Sequence, residues 1–210
     1  MKRTTSLCFI LSFLISASYA QHADKEDSVQ KAKKDSIRIA NLMSQAVFPL
    51  IKNSEYSGVI PVKDIQEMPD PSLKFKLLFN FTAWVNDSSA RKKIDWGLAE
   101  IGRIINLHIA AGVPKENLDI VLVIHGPSLN TLLTNENYRK KFNVDNPNLD
   151  ILKQLTDLKT KLIACSQAEL YFNIPREQMI TEVRNALSAQ VAMSNYQLKG
   201  FVSYKISDEQ

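Results

Sequence analysis

Two residues of this 210-residue sequence combine a reactive side chain with a position where chemistry is often done. Cys165 lies in "KLIACSQAEL", residues 161–170, where a short apolar run gives way to a polar stretch. His125 lies in "LDIVLVIHGPSLN", again at the end of an apolar run. A thiolate attacks electrophiles, or accepts and donates sulfur. An imidazole takes a proton or hydrogen-bonds an anion near neutral pH. Each residue also has a plainer reading. Free cysteine is among the most buried residue types and often only packs. A histidine where a strand meets a loop is commonly held by nearby backbone. Residue type alone leaves Cys165 open as a reactive thiol or as a small apolar filler.

The elements that would position these side chains alternate along the chain. "FKLLFNFTA" reads as a buried strand. A helix follows within "NDSSARKKIDWGLAEIGRIINLHIAAGVP", its start expected at Asn86, Asp87 or Ser88, residue types that cap helices. Ile94, Leu98, Ile101 and Ile105 form its apolar face, with His108 at the core edge. Gly112 and Pro114 end it. "LDIVLVIHG" is a second strand, rich in β-branched residues. "PSLNTLLTNENYRKKF" reads as a short helix with a polar connection, and "NPNLDILKQLTDLKT" as a further helix. "KLIAC" is a third strand and "SQAELYFN" starts another helix. "PREQMITEVRNALSAQVAMSNYQLKG" is expected to be one long helix, with proline at its start and Gly200 at its end. "FVSYKI" adds a last strand. This alternation predicts an α/β fold: a largely parallel sheet of about five strands, with helices on both faces.

In such sheets ligands bind beyond the carboxyl ends of the strands. Three stretches are selected by that rule: "TAWVNDSS", "HGPSLN" and "CSQAE". If the strands are parallel neighbours, Trp84, His125, Ser128, Asn130 and Cys165 converge on one edge, with Ser166 and Gln167 beside the thiol. Backbone N–H groups at a helix start favour a thiolate. A hydrolase built on Cys165 and His125 would need an orienting acid, and none is identifiable. No CxxC, HExxH or close His/Asp/Glu cluster points to a metal. No GxGxxG, Walker loop or GxSxG elbow follows a strand, so no cofactor is implied.

The N-terminus has the order of a secretory signal peptide: Lys2 and Arg3, an apolar run from Leu7 to Ile15, then Ser18 and Ala20 before Gln21. Cleavage there predicts a periplasmic or secreted protein with no membrane insertion afterwards, since the run is short for a membrane span. It would also remove Cys8, one of the two cysteines, and leave Cys165 with no partner for an intrachain disulfide. The formal net charge of +4 falls to +2 without Lys2 and Arg3. Basic and acidic residues are interspersed, and no basic stripe with interleaved aromatics supports nucleic-acid binding. Residues 21–72 read as a charged tether, with Ile37–Met43 as a helical turn or two, followed by an irregular arm rich in proline, glycine and serine. Residues 73–210 form the domain.

"KFKLLFNFTA", "LDIVLVIHGPSLNTLL" and "KLIACSQAELYFNIPREQM" resemble the DsrE/DsrF-like family, which includes sulfur-relay proteins of the Tus and Dsr type. The resemblance runs from Lys74 to Phe201, and "VIHGPSLNTLL" looks closer to exported or stand-alone members. It implies a three-layer α/β/α sandwich and homo-oligomers, often trimers or hexamers. Cys165 falls on the family's sulfur-accepting cysteine, with Ala168 and Ile174 in the expected places, so the resemblance implies sulfur transfer through a persulfide on Cys165; His125 is the residue expected to assist it from its place on the neighbouring strand end. Two features depart from relay members: the signal peptide with the long arm, and the bulky "LYFN" after Ala168. Sulfur donor and acceptor are therefore not carried over. The alternative is a non-catalytic, oligomeric binding or scaffold protein of the same fold.

Overall fold

Three apolar runs become the middle of one sheet. The computed structural model describes residues 29–52, 55–84 and 86–207. The signal peptide, Cys8 and His22 lie outside the described residues. Strands β1 (Phe75–Phe81), β2 (Leu118–Ile124) and β3 (Lys161–Cys165) are joined by two edge strands, β4 (Arg184–Ala186) and β5 (Val202–Ile206). All pairings are parallel, in the order β4-β3-β2-β1-β5. Consecutive residues such as Leu77, Leu78 and Phe79 are all buried. A parallel strand covered on both faces must be apolar in both phases of its pleat, which is why these segments read as unbroken runs.

The order dictates where the helices go. β1 to β4 step across the sheet in one direction, and β5 then returns to the far side of β1. With right-handed crossovers the return helix must lie on the opposite face from the earlier ones. Helix α2 (Trp96–Ala110) packs on the face of Phe81 and Ile206. Its Gly97 comes so close that an added Cβ would lie 2.6 Å from the Phe81 ring and 2.9 Å from Ala83 and Ile206. Helix α6 (Ala189–Leu198) covers the other phase of the pleat. Its Tyr196 lies under the Lys161 ammonium, and Lys161 alternates with Ile163 and Cys165 on that face. Helices on both faces complete an α/β/α arrangement. Helices α3 (Asn135–Phe142), α4 (Leu149–Asp157) and α5 (Ser166–Phe172) fill the connections after β2 and β3.

Two expected elements differ. Helix α2 begins at Trp96, with Asp95 as the cap that accepts from Gly97 N–H at 2.9 Å. The earlier cap-like residues serve a tight turn instead: Asp87 accepts from Ser89 and Ala90, and Ala90–Lys92 is a single 3-10 turn. The single long helix after Pro175 is also replaced. Arg176–Gln178 forms a 3-10 turn, residues 184–186 form β4, and only Ala189–Leu198 is helical. Ser188 caps α6 at Val191 N–H, and Gly200, at φ 81°, follows its end.

The chain divides into two units, Met1–Gln45 and Ala46–Gln210. In the first, residues 29–43 are helical (α1), more than the turn or two expected. The irregular arm from Ala46 is part of the second unit. There the buried Asn106 side chain of α2 accepts from Leu50 and Ile51 N–H and donates to Ile51 and Ser57 carbonyls. One amide thus satisfies four backbone groups of a segment with little regular structure.

Candidate functional site

The carboxyl edge of the sheet carries two different constructions. The first surrounds Cys165. The paired register ends at Ile124 opposite Ala164, so His125 and Cys165 stand level one residue further on. Strand alternation puts Asn80, Val123, His125, Ile163 and Cys165 on one face. The His125 Nε2 lies 2.7 Å from Asn80 Oδ1. That bond places the proton on Nε2 and leaves Nδ1 as acceptor. Burial holds the His125 pKa below its ordinary value, so the ring is neutral near pH 7. Cys165 holds the cap position just before α5, yet it is only 5 % exposed and belongs to the apolar core.

The polar residues around this edge are mostly occupied. The buried Ser128 hydroxyl donates its one proton toward His125 O at 2.7 Å and Phe81 O at 3.0 Å. Asn130 is buried too; its Nδ2 donates to Pro127 O at 2.7 Å, while its Oδ1 has no partner. Asn130 thus folds back onto the 3-10 segment Gly126–Leu132, while Ser128 meets the carbonyls of Phe81 and His125 at the strand ends beside it. Ser166 is half-buried and Gln167 is exposed. Glu169, absent from the sequence-based candidates, is buried, and Asn185 Nδ2 on β4 donates to its Oε1 at 2.5 Å and to Ser166 Oγ at 3.3 Å. Burial pushes the Glu169 carboxyl up, with the Arg176 charge opposing. Glu169 closes the stretch "CSQAE" beyond the third strand, but its partner Asn185 falls where the sequence pattern predicts a helix, so the pairing is not legible from sequence.

The second construction is a cavity of about 380 Å³ at the β1–α2 connection. Four aromatic rings line it, those of Tyr56, Trp84, Trp96 and Tyr138, with Arg91 and Lys93 supplying positive charge and Asp95 a negative one. Its frame is polar and internally bonded. Asn148 Oδ1 accepts from Asp95 N–H at 2.8 Å, and Asn148 donates to Asn146 Oδ1 through both its backbone N–H and Nδ2, each at 3.0 Å. Asn146 Nδ2 in turn holds the Thr131 and Leu133 carbonyls. An aromatic group backs the wall: Phe142 lies 5.8 Å from Trp84 and 4.7 Å from Tyr138, centroid to centroid. Neither Cys165 nor His125 lines this cavity. Of the residues expected to converge, Trp84 therefore serves the cavity, while His125 and Cys165 stand together elsewhere on the edge.

Two polar side chains of the cavity are already engaged. The Tyr138 hydroxyl donates to Arg91 O at 3.1 Å, and burial pushes its pKa up to about 12, so it stays protonated. Asp95 is engaged as the helix cap. Among the described residues no group of three or more His, Cys, Asp or Glu is arranged to hold a metal ion. No helix among them is long and apolar enough to cross a membrane.

No protein-family model matches the chain, and no curated protein matches it. Four chains of solved structure do. One is described as a protein of unknown function, MTH1491, from Methanobacterium thermoautotrophicum; it is 17% identical, with 62% of this chain and 98% of that chain covered and a TM-score of 0.44.

Proposed function

We propose that this chain acts as a small-molecule binding protein on an α/β/α frame, with the aromatic cavity at the β1–α2 edge as its site. The observation that carries this reading is the contrast in access: the cavity is hollow and aromatic-walled, whereas Cys165 is 5 % exposed. Cavities of this size, apolar with a few polar groups, are the usual form of ligand sites. Both tryptophans of the chain line it; Trp96 also borders a hollow along α2 and β5, so in a proton–nitrogen correlation spectrum a ligand in the cavity is marked by the Trp84 indole N–H signal moving together with that of Trp96. A panel of small amphipathic compounds of every charge type should include some that shift both signals saturably. If none does, the reading fails.

Sulfur handling through a persulfide on Cys165 is a second proposal. It is favoured by the level placement of His125 beside Cys165 and by the DsrE/DsrF-like resemblance. Mass spectrometry after thiosulfate or sulfide treatment with an oxidant such as a disulfide would reveal a one-sulfur adduct. A thiol that neither gains sulfur nor alkylates in the folded protein removes this reading. Export and a trimeric or hexameric assembly accompany both proposals. Light scattering on the purified chain tests the assembly, and a monomer at micromolar concentration would exclude it.

A further inference from the structure

The cavity's charges favour one chemical class of ligand, an inference that rests on the binding reading above. Arg91 and Lys93 line the cavity, and Lys141 stands behind its wall. The Arg91 Cζ lies 4.8 Å and the Lys141 Nζ 5.6 Å from the centroid of the Phe142 ring. None of these three cations pairs with a carboxylate among the described residues. Burial and the neighbouring Arg91 charge both hold the Lys141 pKa below its ordinary value, as expected for cations crowded on one ring.

The guanidinium is also incompletely used. One terminal nitrogen, Nη2, donates to Asn86 Oδ1 at 2.5 Å, but Nε is buried without a hydrogen-bond partner. Asp95 is the only carboxylate among the described lining residues, and its side chain accepts from Gly97 N–H at the start of α2. The other described hollow, along α2 and β5, is different. Its Glu100 and Arg103 pair with each other at 2.6 Å, which leaves Lys205 as its one remaining cation, and its rings are those of Trp96 and Tyr204 rather than a four-ring wall.

We propose that the cavity binds a small planar aromatic monoanion, its rings against Trp84, Trp96 and Tyr138 and its carboxylate or sulfonate toward Arg91 and Lys93. Aromatic walls supply stacking area at little cost in side-chain entropy. The planar guanidinium suits a flat oxyanion, and a charge-assisted bond is about twice as strong as a neutral one. An anion here also relieves the repulsion between Arg91 and Lys141.

The test titrates the whole chain with naphthoate, naphthylmethanol and naphthylmethylammonium, three probes of one ring system. Calorimetry gives affinity, and the Trp84 indole signal, which belongs to this cavity and not to the hollow along α2 and β5, gives location. Naphthoate should bind about tenfold tighter than the neutral alcohol, and the ammonium weakest. The variants R91M and K93M should each reduce the preference for the anion, read as the ratio of naphthoate to alcohol affinity in the same variant. K93M keeps the test decisive should R91M misfold through loss of its contact with Phe142. Equal binding of all three probes, or tightest binding of the ammonium, would overturn the anion assignment and leave the binding reading intact. No indole shift with any probe would overturn both.

Discussion

The Cys165 edge and the β1–α2 edge belong to the same side of the same sheet, yet one is filled and the other is hollow. Beyond β2 and β3 the chain turns its polar side chains inward. Ser128 bonds backbone, Asn80 bonds His125, and Cys165 joins the core. Beyond β1 the chain instead spreads through a turn at Ala90–Lys92 and sends aromatic rings around a space. Both places satisfy the rule that ligands lie beyond strand ends. The rule selects an edge, and the connecting loops decide whether that edge is sealed or open.

The most damaging single change should strike the frame of the open edge. Asn148 is fully buried and joins Asp95 N–H to Asn146 Oδ1. Asn148→Ala leaves a helix-start N–H unmet and strips one of two bonds from the Asn146 oxygen. With about 1–3 kcal/mol for each buried group so exposed, the loss should be about 3 kcal/mol in urea unfolding. A loss below about 1 kcal/mol would mean that water already reaches this frame.

The sealed edge predicts a smaller, patterned cost. A packed thiol replaced by alanine should lose about 1 kcal/mol, whereas Cys165→Ser should lose about 2 kcal/mol by burying a hydroxyl in apolar surroundings. Cys165 should also resist iodoacetamide until the chain unfolds. If the serine variant is as stable as the wild type and the thiol alkylates rapidly, the edge is wet. The contrast between the two regions would then collapse in favour of the sulfur reading.

The sequence made the frame of this contrast visible but not its content. β1, β2 and β3 were legible because strands buried on both faces must be continuously apolar. β4 was not, since Arg184, Asn185 and Ala186 form a short edge strand with two exposed residues and no apolar run. Pro175 and Gly200 then bracketed it as if within one helix, although only the glycine marks a true helix end. The start of α2 was misplaced because Asp87 and Ser89 build a turn from the same side-chain oxygens that cap helices. Cys165 and His125 were found by position, and their burial could not be read from type. Of the cavity only Trp84 was selected. Arg91 and Trp96 follow Trp84 in the same connection, but Tyr56 and Tyr138 come from separate segments that meet it only once the sheet has folded.

Tyr138 offers a milder test of the open edge. Tyr138→Phe removes the bond to Arg91 O and should cost about 1 kcal/mol. In ultraviolet titration the native protein should show one phenol ionising near pH 12, and the variant should lack that step. Loss of a step near pH 10 instead would show that the ring is solvated.

The smallest effect concerns His125 and is a difference in slope. Burial lowers its folded pKa below the unfolded value of 6.5. Below that value the unfolded chain binds a proton that the folded chain resists, so stability must fall as pH drops through 6.5 toward the folded pKa. Above it both states are neutral at this residue and the contribution is constant. Glu169 acts in the opposite sense: burial raises its carboxyl pKa, so its contribution weakens as pH rises above the unfolded value of 4.5. The two are separated by comparing the wild type with His125→Gln, which keeps an amide donor facing Asn80 and carries no titrating group. Near pH 8 the variant should differ from the wild type by a constant amount. Between pH 6.5 and the folded pKa the wild type should lose stability relative to the variant. A difference that does not change with pH would mean that His125 protonates as readily in the fold as out of it. The edge beside Cys165 would then be as open to water as the cavity is, and burial would no longer separate the two regions.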